Sequence, residues 1–498
     1  MGTVGAMGWM GSHALSLVIV VPLGTALVLM LVPKENKLAV RLLSAIAASV
    51  TLVVSLWAFV AYDRARAGMQ FEEKIEWLPA IGVSYHVGAD GVSLTLVLLT
   101  ALIIFGGVFA SWTIEHRTKE FYILLLTLVT GVFGVFVSLD LFFFFLFYEL
   151  AVLPMYLLIG IWGTGPKEYS ALKLTLYLLV GSAFMLLALL GLYFLSGLEH
   201  RTFDIVEITK QGRFPVPLQH ILFLLCYIGF GVLAGVWPLH TWSPDGHASA
   251  PTAASMLHAG VLMKLGAYGI YRIGIGILPE GAATWAPLVA GIAVVNILYG
   301  SFVAMGQKDF KYVIAYSSVS HMGIVMLGLA AGIPGRGNAI AMSGAVFQMF
   351  SHGIMTGLFF AIVGLVYEKS HTRDITAMGG FAQRMAGIAL IFAIGGMTSF
   401  GLPGTSGFVA ELLVFLGTWR VYPLLAALAV IGIVTTAIYV LRVIQKIFLG
   451  PLEARYSELP EARTTEWVAI VLLAGVLLLF GLWPRPMVSL IETALPMR

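Results

Sequence analysis

Apolar runs of roughly 18 to 28 residues recur from one end of this chain to the other, and nothing else in the sequence constrains its fold as much. Each run is long enough for a helix to cross a hydrocarbon core of about 30 Å. Lipid offers no water to a free backbone N–H or C=O, so such runs must be helices rather than open strands. Fourteen runs can be delimited, the first at 14–32 and the last at 467–483. The longest connections, 62–91 and 196–215, are too small to be soluble domains. The expected fold is therefore all-α: one polytopic membrane bundle of about fourteen transmembrane helices. Composition agrees, with 59% apolar and 11% charged residues, where a soluble chain carries about a quarter charged.

The net charge of +3 is small for 498 residues and speaks against a nucleic-acid partner. Cys226 is the single cysteine and lies inside an apolar run. One thiol cannot supply the ligands of an iron–sulfur cluster or a structural zinc, nor form an internal disulfide. No basic residue precedes the first apolar run, Lys34 being the earliest. That argues against a signal peptide and for an N-terminus outside the cytoplasm. Connections after odd-numbered spans hold 16 of the 28 Lys and Arg; the other side holds 11, and Lys264 lies within a span. By the positive-inside rule the odd connections are cytoplasmic and both termini lie opposite.

Two spans are interrupted. The seventh carries Gly229, Gly231 and Gly235 before Pro238, and the twelfth contains Gly401-Leu402-Pro403-Gly404-Thr405-Ser406-Gly407. Proline removes a backbone donor and glycine tolerates irregular dihedrals. At membrane depth such breaks survive only where they line a cavity or bury against protein. Two broken helices five spans apart predict inverted repeats around a central site; plain Pro/Gly kinks are the alternative. The repeats would divide the chain into leading helices 1–120, five-helix units 121–277 and 284–449, and a final helix within 450–498.

Ionisable groups inside spans need a reason, because a charge at mid-bilayer costs about 2.5–3.5 kcal/mol on insertion scales. Glu149 lies in Phe147-Tyr148-Glu149-Leu150, Lys264 in Leu262-Met263-Lys264-Leu265, and Glu411 in Val409-Ala410-Glu411-Leu412 after the twelfth-span break. His258, His321 and His352 also fall within spans, and histidine titrates nearest neutral pH. Together these six residues can form a relay that takes up and releases protons. The alternatives are a structural ion pair for Glu149 or Lys264, a packing histidine for His352, and a backbone bond for His258. Tyr316, Ser317, Ser318 and Ser320 either bridge waters or bond their own helix.

Ordered motifs point further. They include Gly88-Ala89-Asp90-Gly91-Val92-Ser93, Tyr148-Glu149 with Pro154-Met155-Tyr156, and Pro238-Leu239-His240-Thr241-Trp242 followed by Pro244-Asp245-Gly246-His247 and Ala250-Pro251-Thr252-Ala253. Ala315-Tyr316-Ser317-Ser318-Val319-Ser320-His321-Met322-Gly323, His371-Thr372-Arg373-Asp374, and Gly401-Leu402-Pro403-Gly404 leading to Glu411 complete the set. With these the chain resembles the antiporter-like membrane subunits of the proton-pumping NADH–quinone oxidoreductase (respiratory complex I) over nearly its whole length. Glu411 where relatives use lysine, and a chain that stops soon after the fourteenth span, favour the type called chain M, the counterpart of mitochondrial subunit 4.

The resemblance implies that Glu149 is the fifth-span carboxylate, Lys264 the eighth-span lysine of a central relay, and Glu411 the exit-side acid. His321 and His352 would be hydrated intermediates. It further implies proton translocation in a redox-driven complex of a bacterial cytoplasmic membrane, with antiporter-like neighbours on both sides. NADH, flavin, iron–sulfur clusters and quinone would sit on partner subunits, with no cofactor on this chain. The other readings are a subunit of a multisubunit cation/proton antiporter, or a coupling-weakened subunit of a hydrogenase-like or carbon-dioxide-hydrating complex. One position departs from the pattern: the family lysine seven residues before the histidine of Pro-x-His is Leu233. Either His258 takes its place beside Glu149, or Glu149 stays protonated, as an unpaired buried carboxylate tends to.

Overall fold

The computed structural model describes residues 2–333 and 338–495; Arg336 and Arg498, counted above on the less basic side, lie outside them. Helices α1 (Gly2–Leu31), α2 (Lys37–Ala61), α3 (Gly91–Ala110), α4 (Thr118–Val137), α5 (Leu141–Trp162) and α6 (Lys167–Leu195) form the first six spans. A short α7 (Ile205–Gln211) precedes α8 (Val216–Ala234), the seventh span. There the chain breaks, turns through α9 (Trp242–Ser249), and crosses again as α10 (Thr252–Leu257) and α11 (Met263–Gly269). π-Helical turns at His258–Leu262 and Ile270–Ile275 flank α11. Next come α12 (Pro279–Gly306), α13 (Phe310–Ala331) and α14 (Ala339–Ser370), then the broken pair α15 (Ala386–Ser399) and α16 (Ser406–Val421). The bundle ends with α17 (Pro423–Ile447), α18 (Thr464–Leu482) and the short α19 (Arg485–Glu492). Twelve helices among the described residues are long and apolar enough to cross a membrane. The segmented α10–α11 and α15–α16 bring the crossings to the fourteen expected.

Helices α3, α13 and α14 are buried through most of their length and form the axis, while α1, α2, α6, α17 and α18 turn much of their surface outward. The backbone freed at the seventh-span break is satisfied by one side chain of α12: Asn296 accepts from Trp237 N at 2.6 Å and donates to Gly235 O at 3.3 Å. This is the condition under which irregular backbone survives at membrane depth.

An inverted repeat is visible in two clasps. Asp140 caps α5, accepting from the Phe142 and Phe143 amides, and forms an isolated antiparallel bridge with Asp204, which caps α7. Five spans later Asp309 caps α13 and bridges Asp374 in the same way. The backbone bonds match: Leu141 N to Phe203 O at 2.8 Å in one, Phe310 N to Arg373 O at 2.8 Å in the other. Chain order places the first clasp on the face of the even connections and the second on the face of the odd, more basic ones.

The 62–91 connection is not plain loop. Strands β1 (Gln70–Leu78) and β2 (Val83–Ala89) pair antiparallel, with Ile75 opposite Tyr85 and Lys74 opposite His86. The hairpin docks on the first clasp: Ser84 N donates to Asp140 Oδ2 at 2.9 Å, and Lys74 Nζ and His86 Nδ1 approach Asp204 Oδ2 at 2.6 and 2.9 Å. Burial pushes the Asp204 carboxyl up, but the bonds from His86 and Lys74 outweigh it and hold it well below the usual carboxylate range.

Candidate functional site

Lys264 lies on the buried eighth crossing and has no exposed surface. A π-helical turn leaves its carbonyls out of the ordinary helical ladder, and the Lys264 ammonium donates back to one of them, Ala259 O. Its second partner is His352 Nδ1 on α14, 2.7 Å away. That approach depends on Gly353, since a Cβ there would lie 2.5 Å from Gly260 O. Nothing larger fits between the two backbones.

His352 stacks on His321 of α13, with ring centroids 5.3 Å apart and planes 13° from parallel. His321 Nδ1 lies 2.8 Å from Ser317 O, and its Nε2 lies 2.8 Å from Ser399 O. Ser399 ends α15, so its carbonyl is available to a side chain because the twelfth span breaks there. A neutral imidazole has one N–H, whereas the doubly protonated ring donates to both carbonyls at once. Beyond it, Glu411 Oε1 on α16 lies 3.7 Å from His321 Nε2 and has no hydrogen-bond partner of its own. Packing brings it there: a Cβ at Gly344 of α14 would lie 2.5 Å from Val414 N, so α14 and α16 cross at backbone contact. Lys264, His352, His321 and Glu411 thus form one buried line.

The other two expected residues fall elsewhere. His258 faces His247 of α9, rings 4.0 Å apart, and Trp242 at 5.0 Å, and none of the four nitrogens of His247 and His258 has a hydrogen-bond partner. His258 therefore does not stand beside Glu149 as a substitute cation. Glu149 is half-buried on α5, its Oε1 unbonded, with Ser182 of α6 as polar neighbour. Among the described residues no cation pairs with it. The site Leu233 occupies is fully buried.

Several polar groups escaped the reading by spans. His247 sits in the turn after the seventh span, where the apolar count does not look. Tyr439 of α17 donates to Ser317 Oγ at 2.7 Å, and Ser317 Oγ lies 3.4 Å from His321 Nδ1. Toward the basic face, Asp245 of α9 binds Lys173 at 2.7 Å and Tyr312 at 2.9 Å. Toward the opposite face, Asp90 pairs with Arg272 at 2.7 Å. Among the described residues no group of three or more His, Cys, Asp or Glu side chains could hold a metal ion.

Residues 138–438 match the family described as NADH:quinone oxidoreductase/Mrp antiporter, transmembrane. The chain is 38% identical over 497 residues to the NADH-quinone oxidoreductase subunit M of Rhodobacter capsulatus, covering 96% of this chain and 95% of the relative. Among solved structures it superposes on a chain of respiratory complex I from Thermus thermophilus with a TM-score of 0.87 and 30% identity, covering 96% of this chain and 98% of that one. A chain of the Mrp complex from Dietzia sp. shares the fold at TM-score 0.84 and 21% identity, with 97% and 96% covered. The chain belongs to the NADH:quinone oxidoreductase/Mrp antiporter family of transmembrane proteins.

Proposed function

We propose that this chain is the M-type membrane subunit of an NADH–quinone oxidoreductase and that it moves protons along the line Lys264–His352–His321–Glu411. The observation that carries this reading is the line itself: one buried lysine amine, two stacked imidazoles and one carboxyl whose Oε1 is unbonded, with 2.7, 5.3 and 3.7 Å between successive members. Redox energy released on other subunits changes the charge on one member. The Lys264 ammonium then passes a proton to His352, and His321 holds one between two carbonyls until Glu411 accepts it. The Asp245 cluster is the entry from the basic face. NADH, flavin, iron–sulfur clusters and quinone belong to partner subunits, with which this chain makes contacts inside a bacterial cytoplasmic membrane. The basic face is cytoplasmic and both termini lie on the other side.

Glu149 stands outside that line and pairs with no cation among the described residues. Two further observations favour reduced coupling in the first half: the apolar Leu233 and the turn of His258 toward His247. The test is to purify the complex that holds this chain, identify the accompanying chains, and reconstitute it in liposomes. NADH oxidation should acidify the lumen, and Lys264→Ala and Glu411→Gln should each suppress that acidification. If no dehydrogenase subunits accompany the chain and a cation gradient alone drives proton movement, the antiporter reading replaces this one.

A further inference from the structure

The eighth crossing carries more polar groups than the Lys264–Glu411 line uses. Lys264, Tyr268 and Arg272 stand at intervals of four, on one face of the helix. Tyr268 is fully buried, yet its hydroxyl lies 2.9 Å from Ser93 Oγ and 3.0 Å from Phe136 O. Arg272 donates to the Tyr268 hydroxyl and to Ser93 Oγ, both at 3.1 Å, and binds Asp90 Oδ2 at 2.7 Å. Asp90 Oδ1 meanwhile caps α3 through Ser93 N. Asp90 and Arg272, the outer members of this cluster, line a cavity of about 490 Å³ together with Glu72, Thr209, Lys210 and Thr493. Thr209 and Lys210 are exposed, so the cavity meets solvent on the face opposite the basic one. Between Lys264 and Tyr268 the path is closed: it spans one helical turn, about 6 Å of rise, with the Phe136 and Phe144 rings 5.3 and 6.3 Å from that of Tyr268.

We propose that the first half of the chain has its own proton exit, from Lys264 through Tyr268 and Ser93 to the Asp90–Arg272 pair and into this cavity. The proposal rests on the proton-translocating reading above. When the turn between them opens to water, the Lys264 ammonium loses one proton and becomes neutral. Tyr268 takes that proton on its oxygen as it releases its own to Ser93 Oγ, and Ser93 does the same toward Asp90. The Asp90 carboxylate becomes a carboxylic acid, its ion pair with Arg272 loosens, and the proton leaves to cavity water. No bond between heavy atoms changes. The Asp90–Arg272 pair closes the route at rest, because an ionised Asp90 held by Arg272 keeps water from Ser93.

The test uses the whole complex in liposomes and reads two quantities. Tyr268→Phe removes only the hydroxyl, and Asp90→Asn keeps the α3 cap while removing the charge; both should lower protons moved per NADH oxidised without lowering NADH oxidation. In a Cys226→Ser background, Ser93→Cys should react with a membrane-impermeant methanethiosulfonate only from the face opposite the basic one. Adding Arg272→Gln should speed that reaction at least tenfold, with Thr209→Cys as the always-accessible reference. If Lys264→Ala and Glu411→Gln suppress pumping while Tyr268→Phe and Asp90→Asn pump at the wild-type ratio, the exit is wrong and the function stands. If all four pump normally, the function itself fails. Labelling of Ser93→Cys from the basic face, or no labelling with Arg272→Gln present, also overturns the exit.

Discussion

Replacing His352 by leucine removes the middle of the relay at nearly constant volume. In the native chain Lys264 Nζ reaches His352 Nδ1 at 2.7 Å, and His352 stacks on His321 at 5.3 Å. Without the imidazole, no side chain bridges Lys264 and His321, and one hydrogen bond reaches only about 2.7–3.2 Å, so ordered water must span an apolar gap. A positioned acid–base group is worth about 10²–10⁴ in rate; the expected loss of proton delivery is therefore about a hundredfold or more. Lys264 also keeps only its Ala259 carbonyl, and losing one bond to a charged group costs about 1.5–3 kcal/mol. The assay is the ratio of luminal acidification to NADH oxidation in proteoliposomes, on complex shown to be fully assembled. His352→Gln is the companion variant, keeping a hydrogen-bond acceptor for Lys264 but unable to carry a proton. Wild-type pumping by His352→Leu would refute the relay, and full rescue by His352→Gln would reduce His352 to a packing partner.

Three further outcomes follow from the same geometry. Glu411→Gln should leave assembly intact, because the carboxyl makes no hydrogen bond through Oε1, but should abolish proton release through the twelfth-span break in the same liposome assay. Gly344→Ala should destabilise the complex by about 1–3 kcal/mol through overpacking, since the new methyl lies 2.5 Å from Val414 N and 2.9 Å from Leu413 Cβ; thermal unfolding of the purified complex reads this. The hairpin clasp should be acid-sensitive. The folded Asp204 carboxyl is held below its unfolded value near 3.9, so its contribution is complete above that value and fades as pH falls through the folded one. Amide protection in 70–89, taken relative to the intrinsic exchange rate at each pH, should therefore fall below about pH 4, and Asp204→Asn should lower protection at neutral pH and flatten the dependence.

Crossings were legible in the sequence because lipid allows one backbone solution, and both breaks were legible from Pro238 and the Gly401–Gly407 run. Lys264, Glu411, His321 and His352 stood out because polar side chains in apolar runs have few other reasons to exist. The structure brings these four together, while Glu149 pairs with none of them and His258 packs against His247. The hairpin 70–89 was missed because its alternation is brief and glutamate-rich, so it reads as loop. His247, quoted within a motif, was not among the relay candidates because it sits in a turn that looks extramembrane and is folded back into the bundle. Arg272 stood only among the eleven basic residues of the less basic side, although its side chain reaches back toward Tyr268. In each case the missing information was the direction of a chain or a side chain after a break, which a one-dimensional count of apolar residues does not hold.

The two π-helical turns at His258–Leu262 and Ile270–Ile275 have a mechanical consequence. Each accommodates one residue more per turn than the ordinary ladder. Passing that surplus residue from one site toward the other exchanges backbone bonds in succession and leaves the helix unbroken. The intervening segment, Met263–Gly269, would swivel by roughly 100°, the angle one residue subtends. Lys264 lies on that segment, so such a shift would carry its side chain away from His352 while both ends of the helix stayed anchored.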